Sequence, residues 1–254
     1  MNAGSQFSAH INVPLVAAPA NPVPILTYHN IGEAPPGATH RGLYLSLEKF
    51  RSHLRVLARR GYRGLSMDEG LPYLRGEKQG RVAIITFDDG YVDNLELAMP
   101  ALRAHGFTAT CYLVAGHMGE HNAWDAELLH VRKPLMNVAQ VREWLAGGMK
   151  VGAHTVSHPH LPQLGRADKR REITASRTLL EDRLGIPVEH FCFPYGDHDD
   201  ECMADIAEAG YASAVTTVRG RVQRGQSLFA LPRIGNSGKR SRWVFEARAL
   251  LWEL

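Results

Sequence analysis

The sequence predicts an α/β fold in which about seven parallel strands close into a distorted (β/α) barrel, and three observations carry that expectation. A helical pattern that closes on glycine and feeds β-branched or aromatic residues recurs five times along the chain. Strands and helices alternate at intervals of about 25 to 45 residues, which implies parallel pairing through right-handed crossovers, because a parallel connection needs a helix-sized return path. The strand count suits a ring. An open doubly wound sheet is the competing arrangement. However, no G-x-G-x-x-G follows the first strand and no P-loop occurs, so a nucleotide or dinucleotide enzyme is disfavoured.

Residues 1–22 mix Ala, Pro, Asn and Ser without periodicity and read as a flexible N-terminal arm, with one folded domain over 23–254. The first strand is expected over 23–28. Ser46 then caps a helix whose face is Leu47, Phe50, Leu54 and Leu57, and Gly61 releases a strand over 62–65. A further strand is expected over 82–87. Leu95, Ala98 and Leu102 lead through Gly106 to the run 108–114, and Val141, Trp144 and Leu145 lead through Gly147 and Gly148 to 150–153. Ile173, Leu179, Leu180 and Leu184 precede Gly185 and the strand 190–193. Ile206 precedes Gly210 and the strand 211–215, and an extended piece over 228–234 ends the series.

Composition narrows the class without naming a chemistry. The 254 residues carry 29 Lys+Arg against 26 Asp+Glu, with 44% hydrophobic and 22% charged residues, values that exclude a fibrous or wholly disordered chain. A single domain of this length buries roughly 70–75% of its unfolded surface, so no disulfide or metal is needed merely to hold the core. No run of about 18 apolar residues suggests a membrane-spanning helix. The first 24 residues contain no Lys or Arg, and Pro14, Pro19, Pro22 and Pro24 interrupt them, which argues against a secretory signal. A native start therefore implies a cytoplasmic enzyme, a trimmed one a periplasmic or envelope-associated enzyme. Cys111, Cys192 and Cys202 lack C-x-x-C spacing, so neither a disulfide framework nor a thiolate zinc site is expected. The basic runs Arg59-Arg60, 169–171 and 239–242 lack interleaved aromatics and read as solvated faces rather than a nucleic-acid platform.

In parallel α/β folds the chemistry collects where strands end. The first strand ends at Tyr28-His29-Asn30, the third at Asp88-Asp89-Gly90, the fifth at His154-Thr155-Val156-Ser157-His158, the sixth at Pro194-Tyr195-Gly196 and the last at Pro232-Arg233. Taken alone, Asp88-Asp89-Gly90 reads equally well as a turn, and two histidines four apart read more often as surface residues. Together, two imidazoles and a carboxylate from another strand form the three-ligand open site of hydrolytic zinc. Successive side chains on a strand diverge, so one aspartate can ligate a cation while its neighbour stays free to accept a proton. Amide or ester hydrolysis follows from that division.

The segments 86–90 and 154–158 resemble the first two motifs of the polysaccharide deacetylase family, carbohydrate esterase family four. Tyr28-His29-Asn30-Ile31 and Leu231-Pro232-Arg233-Ile234 extend the likeness, over about residues 23–236, to its poly-N-acetylglucosamine deacetylase branch. The resemblance implies metal-dependent removal of N-acetyl groups from amino sugars in a glycan or glycan precursor. It assigns Asp88 as general base, and Asp89, His154 and His158 as ligands of one divalent cation, usually Zn2+ with Co2+ or Ni2+ as alternatives. Water activated by that cation is the implied nucleophile. The 193–196 segment matches the third motif, whose backbone N–H at Tyr195 stabilises the oxyanion.

Two departures stand out. The common pattern has Arg two residues before Pro194, where this chain has Cys192; Arg233 is the expected substitute, reaching Asp88 from the last strand and holding it ionised. The common pattern also ends in Leu-x-His, whereas Leu231 is followed by Pro232-Arg233. In the poly-N-acetylglucosamine branch this motif moves to the first strand, which makes His29 the implied general acid. Leu231 remains a candidate for an acetyl pocket, with core packing the equal alternative. The long loop 116–135 is expected to contact ligand, with Trp124 stacking on a sugar face; its histidines are not expected to form a second metal site. Asp197 to Asp200 read as a turn and helix N-terminus. Alternatives kept open are a deformylase or amidohydrolase acting on a lipid-linked sugar or small amide, a glycan-binding module without turnover, and a metal phosphoesterase.

Overall fold

The computed structural model describes residues 14–17, 23–236 and 245. The chain begins its ordered run with β1 (Ile25–Tyr28), the two-residue strands β2 (Asn30–Ile31) and β3 (Tyr44–Leu45), then α1 (Leu47–Arg59), β4 (Arg63–Leu65), α2 (Met67–Leu74) and β5 (Val82–Phe87). It continues through α3 (Met99–Arg103), β6 (Thr110–Leu113), α4 (Ala126–Leu129), α5 (Val138–Ala146) and β7 (Lys150–Ala153). α6 (Arg166–Leu184), β8 (His190–Cys192), α7 (Asp200–Glu208), β9 (Ser213–Arg219) and β10 (Leu231–Gly235) complete it.

β1 pairs in parallel with β10 on one side and β5 on the other. The ring β1, β5, β6, β7, β8, β9, β10 is therefore a closed seven-stranded parallel barrel, and the open-sheet alternative is excluded. β4 stays outside the ring. It pairs with the first half of β5, from Val82 to Ile84, while β6 takes the second half at Thr86 and Phe87. Gly64 permits that wedge, because a Cβ there would lie 2.6 Å from the Phe107 ring.

Alternation along the strands sorts the core into two layers. Leu26, Phe50, Phe87, Trp144 and Phe191 pack between ring and helices. Ile25, Ile84, Tyr112, Cys192, Val215 and Leu231 fill the other layer, and Met67, Leu71 and Leu74 of α2 join them. The Met67 N–H donates to Thr110 Oγ1 at the start of β6, so α2 closes the N-terminal end of the barrel as a floor.

α2 is not among the elements expected from the sequence, and it contains Gly70 and Pro72, both unfavourable inside a helix. It forms because Ser66 and Glu69 make a reciprocal capping box and because Gly70 lies against Ile84, whose Cγ1 would stand 2.3 Å from any Cβ. Three further expectations are corrected. Residues 14–17 of the expected loose arm are docked: Leu15 bridges Ser227, the Val16 N–H donates to Gln226 O, and Val16 is buried; the rest of the arm falls outside the described residues. Lys169 is not part of a solvated face but is buried, pairing with Asp199 at 2.6 Å and Glu201 at 2.9 Å. The segment around Leu95 and Ala98 is a π-helical turn over Asn94–Ala98 that runs into α3. Asp199 caps α7 by accepting from the Cys202 N–H, and Cys111, Cys192 and Cys202 are buried free thiols. The basic run 239–242 lies outside the described residues. Among the described residues, no helix is long and apolar enough to cross a membrane.

Candidate active site

The C-terminal ends of the ring strands open into a cavity of about 500 Å³ whose lining includes His29, Asp88, Asp89, His154, His158 and Tyr195. β5 delivers both aspartates. Asp89 adopts φ of +75°, followed by Gly90 at +84°, and this left-handed turn sends the two carboxylates in different directions. A Cβ on Gly90 would meet Leu113 Cδ2 at 2.9 Å, so the turn needs glycine for space as well as for conformation.

Asp89 faces the imidazoles. Its Oδ1 lies 3.5 Å from His154 Nε2 and 3.5 Å from His158 Nε2, and all three residues are buried. The His154 Nδ1–H donates to the Cys192 carbonyl at 2.7 Å, which fixes the ring with Nε2 turned toward Asp89. Burial works against charge on Asp89, but its hydrogen bond to His154 and the positive character of the surrounding imidazoles hold the carboxyl well below its ordinary range. Burial, with His154 adding, pushes His158 down to about 3, so its ring is neutral near pH 7. Burial opposes charge on His154 too, yet its surroundings, the hydrogen-bonded Asp89 among them, carry that imidazole upward.

Asp88 faces the other way, onto Arg233. The guanidinium donates from Nη1 to Oδ1 and from Nη2 to Oδ2, each at 2.7 Å. Its remaining donors go to the Thr216 carbonyl, Thr86 Oγ1 and Cys192 Sγ, so all five N–H groups of a fully buried arginine are matched by acceptors. Burial raises Asp88, and Arg233 overrides it, holding the carboxyl below its ordinary value. Cys192 thus stands where the resemblance led one to expect arginine, and its thiol is small enough to let a guanidinium in from β10. His29 Nε2 lies 3.7 Å from Asp88 Oδ2, and the Asn94 side chain fixes that segment by donating to the His29 carbonyl at 2.7 Å.

Tyr195 adopts φ of +59° in the short turn Pro194–Gly196. Its N–H, in the first turn, has no intrahelical acceptor, and its carbonyl accepts from Thr217 Oγ1 at 2.7 Å. Its ring stacks on His160 at 3.9 Å, which pairs with Asp197 at 2.6 Å. Trp124 lines the cavity and stacks on His158 at 4.7 Å, with its Nε1 buried and unpartnered. Exposed Leu128 joins the same rim. Leu231 does not line the cavity: it is fully buried in the inner core layer with Val215 and Cys192, because its place on β10 turns it into the barrel. Tyr91 is likewise buried, beside Asp89.

Glu172, on α6, is a residue that sequence reasoning did not single out. Its Oε2 accepts from the N–H groups of Val156 and Ser157 at 2.8 and 2.9 Å, and its Oε1 accepts from Ser157 Oγ at 2.8 Å. Those bonds, with His158 N–H donating to Thr155 Oγ1 at 2.9 Å, hold a loop in which Thr155 and His158 both have positive φ. The signal was present in the helical period: Lys169, Glu172, Ile173, Ser176 and Leu180 form one buried stripe.

Fold and site together define a barrel hydrolase of the carbohydrate esterase class. The chain belongs to the polysaccharide deacetylase family, whose members remove N-acetyl groups from sugars: the family model, described as polysaccharide deacetylase, matches residues 75–214. That span holds Asp88, Asp89, His154, His158 and Tyr195 but neither His29 nor Arg233. The chain is 27% identical over 227 residues to YxkH of Bacillus subtilis (strain 168), a candidate polysaccharide deacetylase, covering 89% of this chain and 75% of that one. It is 23% identical to the poly-beta-1,6-N-acetyl-D-glucosamine N-deacetylase of Staphylococcus aureus, covering 75% of this chain and 67% of that one. Among solved structures, the Streptococcus pyogenes deacetylase PplD in complex with acetate aligns with a TM-score of 0.78 at 25% identity, covering 92% of this chain and 98% of that one.

Proposed function

We propose that this protein is a metal-dependent hydrolase that cleaves the acetyl C–N bond of N-acetylated amino sugars in a glycan or glycan precursor. The observation that carries this reading is the divergence of two adjacent buried carboxylates, one clamped by Arg233 at 2.7 Å and the other facing two imidazoles at 3.5 Å. The naming of the Staphylococcus aureus relative and the acetate held by PplD support the substrate class.

Asp89, His154 and His158 suit a divalent cation. Their donors are one oxygen and two nitrogens that lie within 4.8 Å of one another, and all are buried, a set that fits Zn2+ with Co2+ or Ni2+ able to substitute. When bound, the cation supplies Lewis acidity toward the acetyl carbonyl and makes water a better nucleophile near neutral pH.

The chain's own residues do the rest. Asp88, kept ionised by Arg233, takes the proton from the attacking water. The Tyr195 N–H donates to the developing oxyanion. His29, whose Nε2 lies 3.7 Å from Asp88 Oδ2, gives a proton to the departing amine. Trp124, Tyr195 and Leu128 offer an apolar and aromatic rim of the kind that stacks on sugar faces.

A panel of N-acetylglucosamine oligomers and carrier-linked acylated sugars, scored for acetate and formate with Zn2+, Co2+ and Ni2+, tests the proposal. Acetate release from the oligomers is expected. Formate alone, or no release with any of the three metals, overturns it.

A further inference from the structure

The opposite end of the barrel holds a second group of the same donor types. His190, the first residue of β8, is 1% exposed, and its Nε2 is buried without a hydrogen-bond partner. Facing it at 3.8 Å is Oδ2 of Asp68, from the first turn of α2, an atom that is also buried and unpartnered. Glu189, exposed on the surface, completes the group, and one donor atom from each of the three residues falls within 4.8 Å of the others. A separation of 3.8 Å is too long for a hydrogen bond. It is close to the 3.5 Å at which Asp89 faces each imidazole at the mouth.

The orientation of His190 matches that of a ligand. Its other ring nitrogen, Nδ1, is hydrogen-bonded to the Ser213 hydroxyl at 2.9 Å, as His154 Nδ1 is to the Cys192 carbonyl, and metal-bound histidines are held through the second nitrogen in this way. The helix dipole accounts for an acid at the start of α2, but it leaves unexplained why Asp68 Oδ2 is buried against an unpartnered imidazole. Two buried orphan atoms cost roughly 1–3 kcal/mol each, so an occupant that satisfies both is favoured. Two converging carboxylates select a cation over water.

We propose that Asp68, Glu189 and His190 form a second divalent-cation site, of the borderline class that imidazole and carboxylate bind, which ties the floor helix α2 to β8. A route in exists, because Asp68 also lines a cavity of about 350 Å³ together with Lys150 and Pro187. Lys150 is a cation on that route, so the floor site binds more weakly than the mouth. Its role is structural: it joins an element that precedes β5 to a strand on another side of the ring.

The test is Zn2+ stoichiometry of the full, metal-stripped chain by equilibrium dialysis, followed in parallel by thermal unfolding. Wild type is expected to bind one tight and one weaker equivalent, with a further rise in Tm as the weaker site fills. Asp68→Asn and His190→Gln should each lose the weaker equivalent and that rise, while turnover with the tight site filled is unchanged. His158→Ala should lose the tight equivalent and keep the weaker one, which separates this site from the proposed catalytic centre. A single equivalent in the wild type, or two in both floor variants, overturns the proposal. Should His190→Gln fail to fold, Asp68→Asn, at a half-exposed helix position, decides the matter alone.

Discussion

At the mouth of the barrel the backbone is bent against its own preferences; at the floor, similar side chains stand on regular structure. Among the described residues, five non-glycine positions have positive φ, and four of them, Asp89, Thr155, His158 and Tyr195, line or support the mouth. Each such residue costs roughly 1–3 kcal/mol and persists only where its surroundings over-determine it. Here those surroundings are Glu172, Thr217 and the glycines at 90 and 196. Asp68 and His190 need no such help, being carried by a capped helix and a strand. The contrast teaches that donor types alone do not mark a reaction centre. The mouth differs from the floor in a carboxylate that an arginine holds away from the imidazoles, and in the strain that aims it.

The sharpest way to break the contrast is to remove that carboxylate. Asp88→Asn should keep stoichiometric metal while turnover falls on the order of 10⁴-fold, making the mouth resemble the floor. His158→Ala should lose both metal and turnover, as read by metal content and acetate release. An active Asp88→Asn enzyme would remove Asp88 from the base role.

Arg233→Met leaves Asp88 buried without its counter-charge and should destabilise the fold by roughly 3–5 kcal/mol, measured by denaturant unfolding. The fold should then tolerate Arg233→Met combined with Asp88→Asn better than the single change, since the uncompensated charge is gone. His29→Ala should lower turnover of amide substrates on the order of 10²-fold, with a smaller loss on activated acetate esters, whose leaving groups need no proton. Equal losses would take His29 out of the acid role.

Glu172→Gln keeps the size of the side chain but halves its acceptors, and should weaken metal affinity at the mouth by roughly tenfold without altering the floor. Zn2+ titration of wild type and Glu172→Gln side by side checks this. A last effect, confined to acid pH, concerns a buried imidazole belonging to neither end. Burial lowers His53 to about 3 in the fold, whereas in the unfolded chain it titrates near 6.5. Between those values the unfolded state binds the extra proton, so stability falls as pH drops from 6.5 toward 3. His53→Phe should flatten that part of a Tm-against-pH curve.

Much of the architecture was legible before any coordinates. Glycine-closed helices feeding β-branched runs located β6, β7, β8 and β9 of the ring, and also β4, which the structure leaves outside it, while Ser46 and Gly185 mark helix ends where they fall in the structure and the expected helix start over 197–200 falls at Asp199. The aspartate pair, the two histidines and Tyr195 were legible as strand-end residues for the same reason. α2 was not, because Gly70 and Pro72 are unfavourable in a helix considered by itself and acceptable only against Ile84 and the capping box. Glu172 is masked by its neighbours in a charged run, and the choice between acetyl pocket and core packing for Leu231 stayed open because the direction of its side chain depends on the register of β10.

By itself the sequence determined the alternation of elements and the types of residue at their ends, since those follow from local periodicity and turn chemistry. The resemblance had already paired Asp88 with Arg233 and Asp89 with the imidazoles; only the tertiary structure decided that Glu172 holds the His158 loop, that Leu231 turns into the barrel and that Asp68 meets His190. Ring closure brings together residues as far apart as Asp88 and Arg233, and no local rule specifies a contact that long-range packing alone creates.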